Sequence, residues 1–276
     1  MKITHDFHIH SHLSLCASKS ATAEEYAKVF QEKGIKKAGF ADHFWDATYA
    51  NSHAYLYDNT AQMNPKNFYL QQNYDHLCLL KPELERVDFG GVEIFFGCET
   101  DYDPVNRRPA IAPETAEQFD FVLMPNSHTH MMMPIAYYQP YEKHIDYMFQ
   151  IYEDTLNSDV APYITAMAHP FQAVCCLYDN TMLMSLISDD RLRRIFAKTA
   201  EKGIAVEINS GIRHKSHQEI AESEDMRYWR LAKEEGCLFT FGSDSHSNTG
   251  HVNYENMTYI AELLGLSEED LHPVVR

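Results

Sequence analysis

Seven short, apolar, β-prone runs are spread along the chain: Ile3–Ile9, Lys37–Ala41, Val92–Cys98, Phe121–Pro125, Tyr163–Ala168, Ala205–Asn209 and Leu238–Gly242. Continuous apolar runs, unlike alternating ones, suit strands covered on both faces, as in a parallel sheet wrapped by helices. The stretches between several of them carry helix signals. Thr22 followed by Glu25 reads as a capping box, with Gly34 as that helix's stop. Arg191–Glu201 is followed by Gly203, and Glu224–Glu235 by Gly236, each just ahead of a strand. Further helices are expected over Tyr141–Leu156 and roughly Tyr69–Glu85. Such alternation predicts βα units and one α/β barrel. The 276 residues hold no internal repeat, low-complexity tract or linker, so a single domain over 1–276 is expected.

The informative residues stand just after each run. The first run ends in His8-Ile9-His10, the second in Asp42-His43, the third at Glu99 and the fourth at His128, with His130 beyond it. The fifth ends at His169, the sixth at Asn209, and the last at Asp244 and His246. In parallel α/β folds the residues beyond the carboxyl ends of the strands converge on one face. A lone H-x-H or a lone histidine after a strand is ordinary. Seven segments delivering ligand-type side chains to one face point to a metal site.

Mixed imidazole and carboxylate donors suit Zn, Mn or Fe better than Ca or Mg, which favour oxygen shells. The candidates are too many for one tetrahedral ion, so several close ions with a bridging carboxylate fit better. Such ions polarise a phosphoryl oxygen and activate water without a side-chain nucleophile. Rival schemes lack their motifs. No Cys is followed six positions on by Arg, and neither G-x-G-x-x-G nor G-x-S-x-G occurs. The spacing from Gly34 to Gly39 suits a P-loop, but Phe40 stands where Lys is required.

Net charge is −17, and no Lys/Arg cluster offers a basic face, which argues against nucleic acid or anionic lipid as partner. A small anionic substrate stays compatible, because bound cations reverse the local field. The six cysteines form no C-x-x-C pair and are expected reduced. No run reaches membrane-spanning length, and the opening MKITHDFHIH has no secretory pattern, so a cytoplasmic location is expected. Residues 45–65 read as a surface loop, with a lid over the site as the alternative. That loop and Met131–Pro140 are expected to shape specificity.

Together the segments DFHIHSHLS (Asp6–Ser14), ADH (Ala41–His43), GCETDY (Gly97–Tyr102), NSHTH (Asn126–His130), AHP (Ala168–Pro170) and GSDSHS (Gly242–Ser247) resemble the PHP (polymerase and histidinol phosphatase) superfamily. VEINSGIR (Val206–Arg213) and the ETDY segment further resemble its histidinol-phosphate phosphatase branch. The resemblance implies a distorted TIM-like (β/α)7 barrel with two or three divalent transition-metal ions (Zn, Mn or Fe) at the C-terminal ends of the strands. Carried over by position, His8, His10, Glu99 and Asp244 would hold one ion. Glu99 would bridge to a second, held also by His128 and His169, and His43 and His246 would hold a third. Where many relatives place His or Asp after H-x-H, this chain has Cys16, whose thiolate could still bind Zn or Fe.

Arg213 resembles a phosphate-binding arginine, able to clamp phosphate bidentately. Asn209 would orient the substrate, and His12 and His130 would touch it or support the ligands. Arg107 and Arg108 could also meet an anion. His5, His53, His76, His144, His214, His217 and His272 have no such context, and His251 is ambiguous. The implied activity is hydrolysis of a small phosphate monoester, L-histidinol phosphate first, by a metal-bridging hydroxide. Arg213 would stabilise the charge developing on the equatorial phosphoryl oxygens, and Asp244 or His246 would protonate the leaving group. Three alternatives stay open. One is a phosphodiesterase, nuclease or phosphotyrosine phosphatase of the same superfamily. The others are an amidohydrolase-type C–N hydrolase and a non-catalytic metal-dependent module.

Overall fold

The computed structural model describes residues 1–46, 72–129, 133–172, 180–209, 216–247 and 252–276. Seven parallel strands form a nearly closed barrel in the order β1 (His5–Ile9), β2 (Lys37–Phe44), β3 (Glu93–Thr100), β6 (Val122–Pro125), β7 (Ala166–Ala168), β8 (Ala205–Asn209) and β9 (Leu238–Gly242). A two-stranded antiparallel hairpin, β4 (Tyr102–Asp103) with β5 (Arg108–Pro109), comes directly after β3. The ends of the series meet through backbone bonds past β9. Asp244 N–H donates to His8 O at 2.7 Å and His10 N–H to Ser245 O at 2.9 Å. This is the distorted TIM-like barrel expected from the sequence.

Helices pack around the barrel where the signals put them. Thr22 caps Ala23–Lys33 by accepting from Glu25 N–H, and Gly34 ends it in the left-handed conformation that glycine tolerates. Tyr141–Asn157, Asp189–Glu201 and Glu224–Glu234 cover the later strands with buried apolar faces. Among the described residues, no helix is long and apolar enough to cross a membrane.

Several boundaries differ from the sequence reading. The helix expected over Tyr69–Glu85, of which residues 69–71 lie outside the described ones, is broken into Tyr74–Leu77, a 3-10 turn Cys78–Leu80 and Lys81–Arg86. Pro82 has no N–H to continue the preceding turn, so it opens a new helix instead. The run from Tyr163 becomes strand only at Ala166, because Pro162 sets a 3-10 turn over Ala161–Tyr163. Strands β2 and β3 run further than expected, to Phe44 and Thr100. Their unbroken parallel ladder pairs His43 with Glu99.

The barrel interior has an aromatic floor. Phe7 packs against Phe95 and Phe121 with ring centroids 4.9 and 5.1 Å away. Phe121 lies over Gly39 and Gly97, where a Cβ would come within 2.6 and 2.3 Å of its ring. Between Asp6 and Ile9 the register of β1 against β2 slips by one residue. Such a bulge re-aims side chains. Phe7 stays in the floor, and the adjacent His8 also turns inward.

Candidate metal centre

Above that floor, the carboxyl ends of the strands bring together His8, His10, His43, Glu99, His128, His169, Asp244 and His246. Among the described residues, four overlapping groups could hold a metal ion: His8/His10/Asp244, His8/Glu99/His169, His43/Glu99/His128 and His10/His43/His246. In each group the ligand atoms lie within 4.8 Å of one another. His246 is 32% exposed at the side chain, and the other members are buried.

Glu99 stands at the middle. Its Oε1 faces His169 Nε2 at 3.0 Å and His128 Nε2 at 3.6 Å. Its Oε2 faces His43 Nδ1 at 3.0 Å, His8 Nε2 at 3.4 Å and His10 Nε2 at 3.5 Å. Asp244 Oδ1 lies 3.0 Å from His10 Nε2 and 3.4 Å from His8 Nε2. With ligand bonds of about 2.0–2.2 Å, a tetrahedral site spaces its donors roughly 3.3–3.6 Å apart, so these spacings suit a cation. Glu99 Oε2 is buried and accepts no hydrogen bond among the described residues. Buried carboxylates are paired or coordinate metals, and the imidazole nitrogens around this oxygen leave it able to share a cation with them.

The opposite ring nitrogens are occupied by partners that orient them. His8 Nδ1–H donates to Glu207 Oε1 at 2.7 Å and His128 Nδ1–H to Asp101 Oδ1 at 2.8 Å. His169 Nδ1 meets Ser127 Oγ at 2.6 Å, and His246 Nδ1–H donates to Asp244 O at 2.9 Å. His10 Nδ1 lies 3.2 Å from Ser14 Oγ, whose hydroxyl donates to Asp42 Oδ1 at 2.7 Å. Asp42 therefore serves the loop after β1, where it also accepts from Ser11 N–H and Oγ–H, both at 2.6 Å. Carboxylates behind ligating imidazoles fix the tautomer and raise the donor strength of the free nitrogen. Sequence reasoning gives Glu207, Asp101, Ser14 and Ser127 no role. Glu207 and Asp101 enter it only as members of the VEIN and ETDY stretches.

The charges are mutually tuned. Burial would raise the Glu99 carboxyl, but the His128, His8 and His43 rings outweigh it and hold it well below the usual range. Burial likewise opposes ionisation of Asp244, and His8, His10 and His246 lower it. Burial and the neighbouring His246 and His43 push His10 well down, toward the neutral ring that binds metal. Cys16 is exposed as a residue, yet its thiol interacts with His43 and His246. Desolvation would raise that thiol, but the two rings bring it down to about 6.

Other expected contacts fall elsewhere or outside the described residues. His12 turns to Glu83, 3.7 Å away, rather than to the cluster. Arg107 pairs with Asp154 at 3.0 Å and Arg108 with Asp159 at 2.7 Å, which ties the β4–β5 hairpin to its surroundings. Asn209 lies at the end of β8, its Nδ2 3.5 Å from Glu207 Oε2. Arg213, His130, His251, most of the loop 45–65 and residues 131–132 lie outside the described residues. Two residues of the cluster hold left-handed backbone without being glycine: His169 at φ 27° and Asp244 at φ 52°. Such conformations cost of order 1–3 kcal/mol and collect at functional sites.

The PHP domain family model matches residues 6–211. The fold is similar to histidinol phosphate phosphatase from Lactococcus lactis subsp. lactis, whose crystal structure is a complex with zinc, L-histidinol and phosphate. The TM-score is 0.62 at 15% identity, covering 95% of this chain and 92% of that one. A candidate histidinol phosphatase from Listeria monocytogenes is similar at TM-score 0.62 and 15% identity, covering 89% of this chain and 96% of that one. No curated protein matches the chain.

Proposed function

This chain belongs to the PHP domain family, and from that premise we propose that it is a metal-dependent phosphatase of small phosphate monoesters, with L-histidinol phosphate the first compound to test. The observation that carries the reading is the division of Glu99 between two sets of imidazoles, His128 and His169 at one oxygen, His8, His10 and His43 at the other. A carboxylate so divided suits a bridge between two cations. His8, His10, Glu99 and Asp244 would hold one ion, and Glu99, His128 and His169 a second. His43 and His246, with the Cys16 thiolate, would serve a third. The fold shared with an enzyme crystallised with zinc, L-histidinol and phosphate supports both metal and substrate class.

Bound divalent cations would activate water and neutralise charge on the phosphoryl oxygens. The chain's own groups do the rest. The aromatic floor of Phe7, Phe95 and Phe121 closes the barrel beneath the cluster, so substrate enters from the strand ends. Asn209, beside the cluster, orients the bound ester, and Arg213 clamps the phosphate. Protonation of the leaving alcohol falls to Asp244 or His246, of which His246 has the side chain with more access to solvent.

The test is elemental analysis of purified protein paired with a release screen of phosphate monoesters, diesters and amides. Bound transition metal with turnover of monoesters is expected. Metal-loaded protein that releases no phosphate from any monoester overturns the reading. Diester or C–N cleavage in its place redirects it within the alternatives.

A further inference from the structure

Glu207 lies in the middle of β8, 1% exposed, and is not among the proposed ligands. Its two oxygens are divided between two strands. Oε1 accepts from His8 Nδ1–H at 2.7 Å, and Oε2 accepts from the backbone N–H of His169 at 2.8 Å. The room it occupies depends on a neighbouring glycine. Gly242 of β9 is the register partner of Asn209, and a Cβ there would come within 2.2 Å of Glu207 Oε1 and 2.4 Å of the His8 Cβ.

The two residues that Glu207 holds reach two overlapping groups of the cluster. His8 belongs to one group with His10 and Asp244 and to another with Glu99 and His169, whose Nε2 lies 3.0 Å from Glu99 Oε1. His169 is also one of the residues with left-handed backbone, which persists only where surroundings over-determine it. The hydrogen bond from its own N–H to Glu207 is one such restraint. By contrast, Asp101 orients a single ring, His128, through Nδ1 at 2.8 Å.

We propose that Glu207 is a positioning residue for two ion positions at once: it keeps the His8 proton on Nδ1, so that Nε2 faces the ions, and pins the His169 main chain, so that its ring reaches Glu99. The inference rests on the metal-binding part of the proposed function and not on the substrate. It assigns to the VEIN stretch a structural purpose distinct from substrate contact.

The experiment strips the full chain with a chelator and titrates it with Co(II), reading ligand-field absorption and bound metal. Glu207→Gln keeps the size of the side chain but offers one carbonyl acceptor where the carboxylate offers two. It is expected to weaken two equivalents of Co(II) by about 10- to 100-fold and to change their absorption. Asp101→Asn is expected to weaken one. Wild-type affinity, stoichiometry and spectrum in Glu207→Gln overturn the proposal, and so does weakening of a single equivalent. If Glu207→Gln fails to fold, nitrogen NMR of histidine-labelled wild type decides. His8 is expected protonated at Nδ1 with metal on Nε2, and metal on His8 Nδ1 overturns the proposal. A wild type that takes up no metal overturns the proposed function as well. Metal uptake that is indifferent to Glu207 overturns this inference alone.

Discussion

The Nε2 atoms of His8 and His10 face each other at 3.2 Å. Each ring has its Nδ1 engaged, at Glu207 for His8 and at Ser14 for His10. The hydrogen-bond network thus assigns both protons to Nδ1 and turns two lone pairs toward one another. That arrangement is stable only with a cation or an extra proton between them. Removing metal should therefore lower the melting temperature, and adding Zn back should restore it. Ligand at 100-fold its Kd stabilises by about 2.7 kcal/mol. Identical melting with and without chelator would count against a cation at this place.

Glu99→Gln keeps the size of the side chain but loses the charge that the surrounding imidazoles and any cation share. We expect loss of at least one equivalent of metal and a fall in turnover of a hundredfold or more, on the order of 3 kcal/mol in the barrier. Full metal content and activity in this variant would refute the bridging role.

Arg213→Ala should leave metal content unchanged and weaken binding of phosphorylated compounds, because the guanidinium is proposed to meet the phosphate alone. Competition by inorganic phosphate is a direct reading. Unchanged inhibition by phosphate would remove Arg213 from the site.

The floor of the barrel makes a separate prediction. Gly97→Ala puts a methyl 2.3 Å from the Phe121 ring. Overpacking of this kind costs typically about 1–3 kcal/mol. Denaturant unfolding should show that loss, and Phe121→Leu should recover part of it in the double variant. A wild-type midpoint for Gly97→Ala would mean that Phe121 does not lie over this glycine.

His144 gives a prediction about acid. Its Nε2 meets Thr129 Oγ1 at 2.9 Å in the core, and burial lowers its pKa from 6.5 to about 4. The unfolded chain therefore binds more protons between those values, so stability falls as pH drops from 6.5 toward 4 and levels off below. The full effect is on the order of 3 kcal/mol. His144→Gln should flatten that part of the stability curve. An unchanged slope would show that His144 titrates normally in the folded protein.

Local pattern was enough for the architecture. Continuous apolar runs, the Thr22 cap and the Gly34 stop act over a few residues, so alternation of strand and helix could be read directly. The same logic predicted that residues after the runs gather at one face, and His8, His43, Glu99, His169 and Asp244 do gather there. What local pattern could not hold is anything set by partners distant in the chain. Glu207 and His8 are 199 positions apart, and Asp101 and His128 are 27 apart. Neither pairing leaves a periodic trace, because a hydrogen bond between strands depends on strand order and register alone. The bulge in β1 is of the same kind. Only closure of the barrel decides that Phe7 joins the floor while His8 joins the cluster, and that Asp42 turns to Ser11 and Ser14.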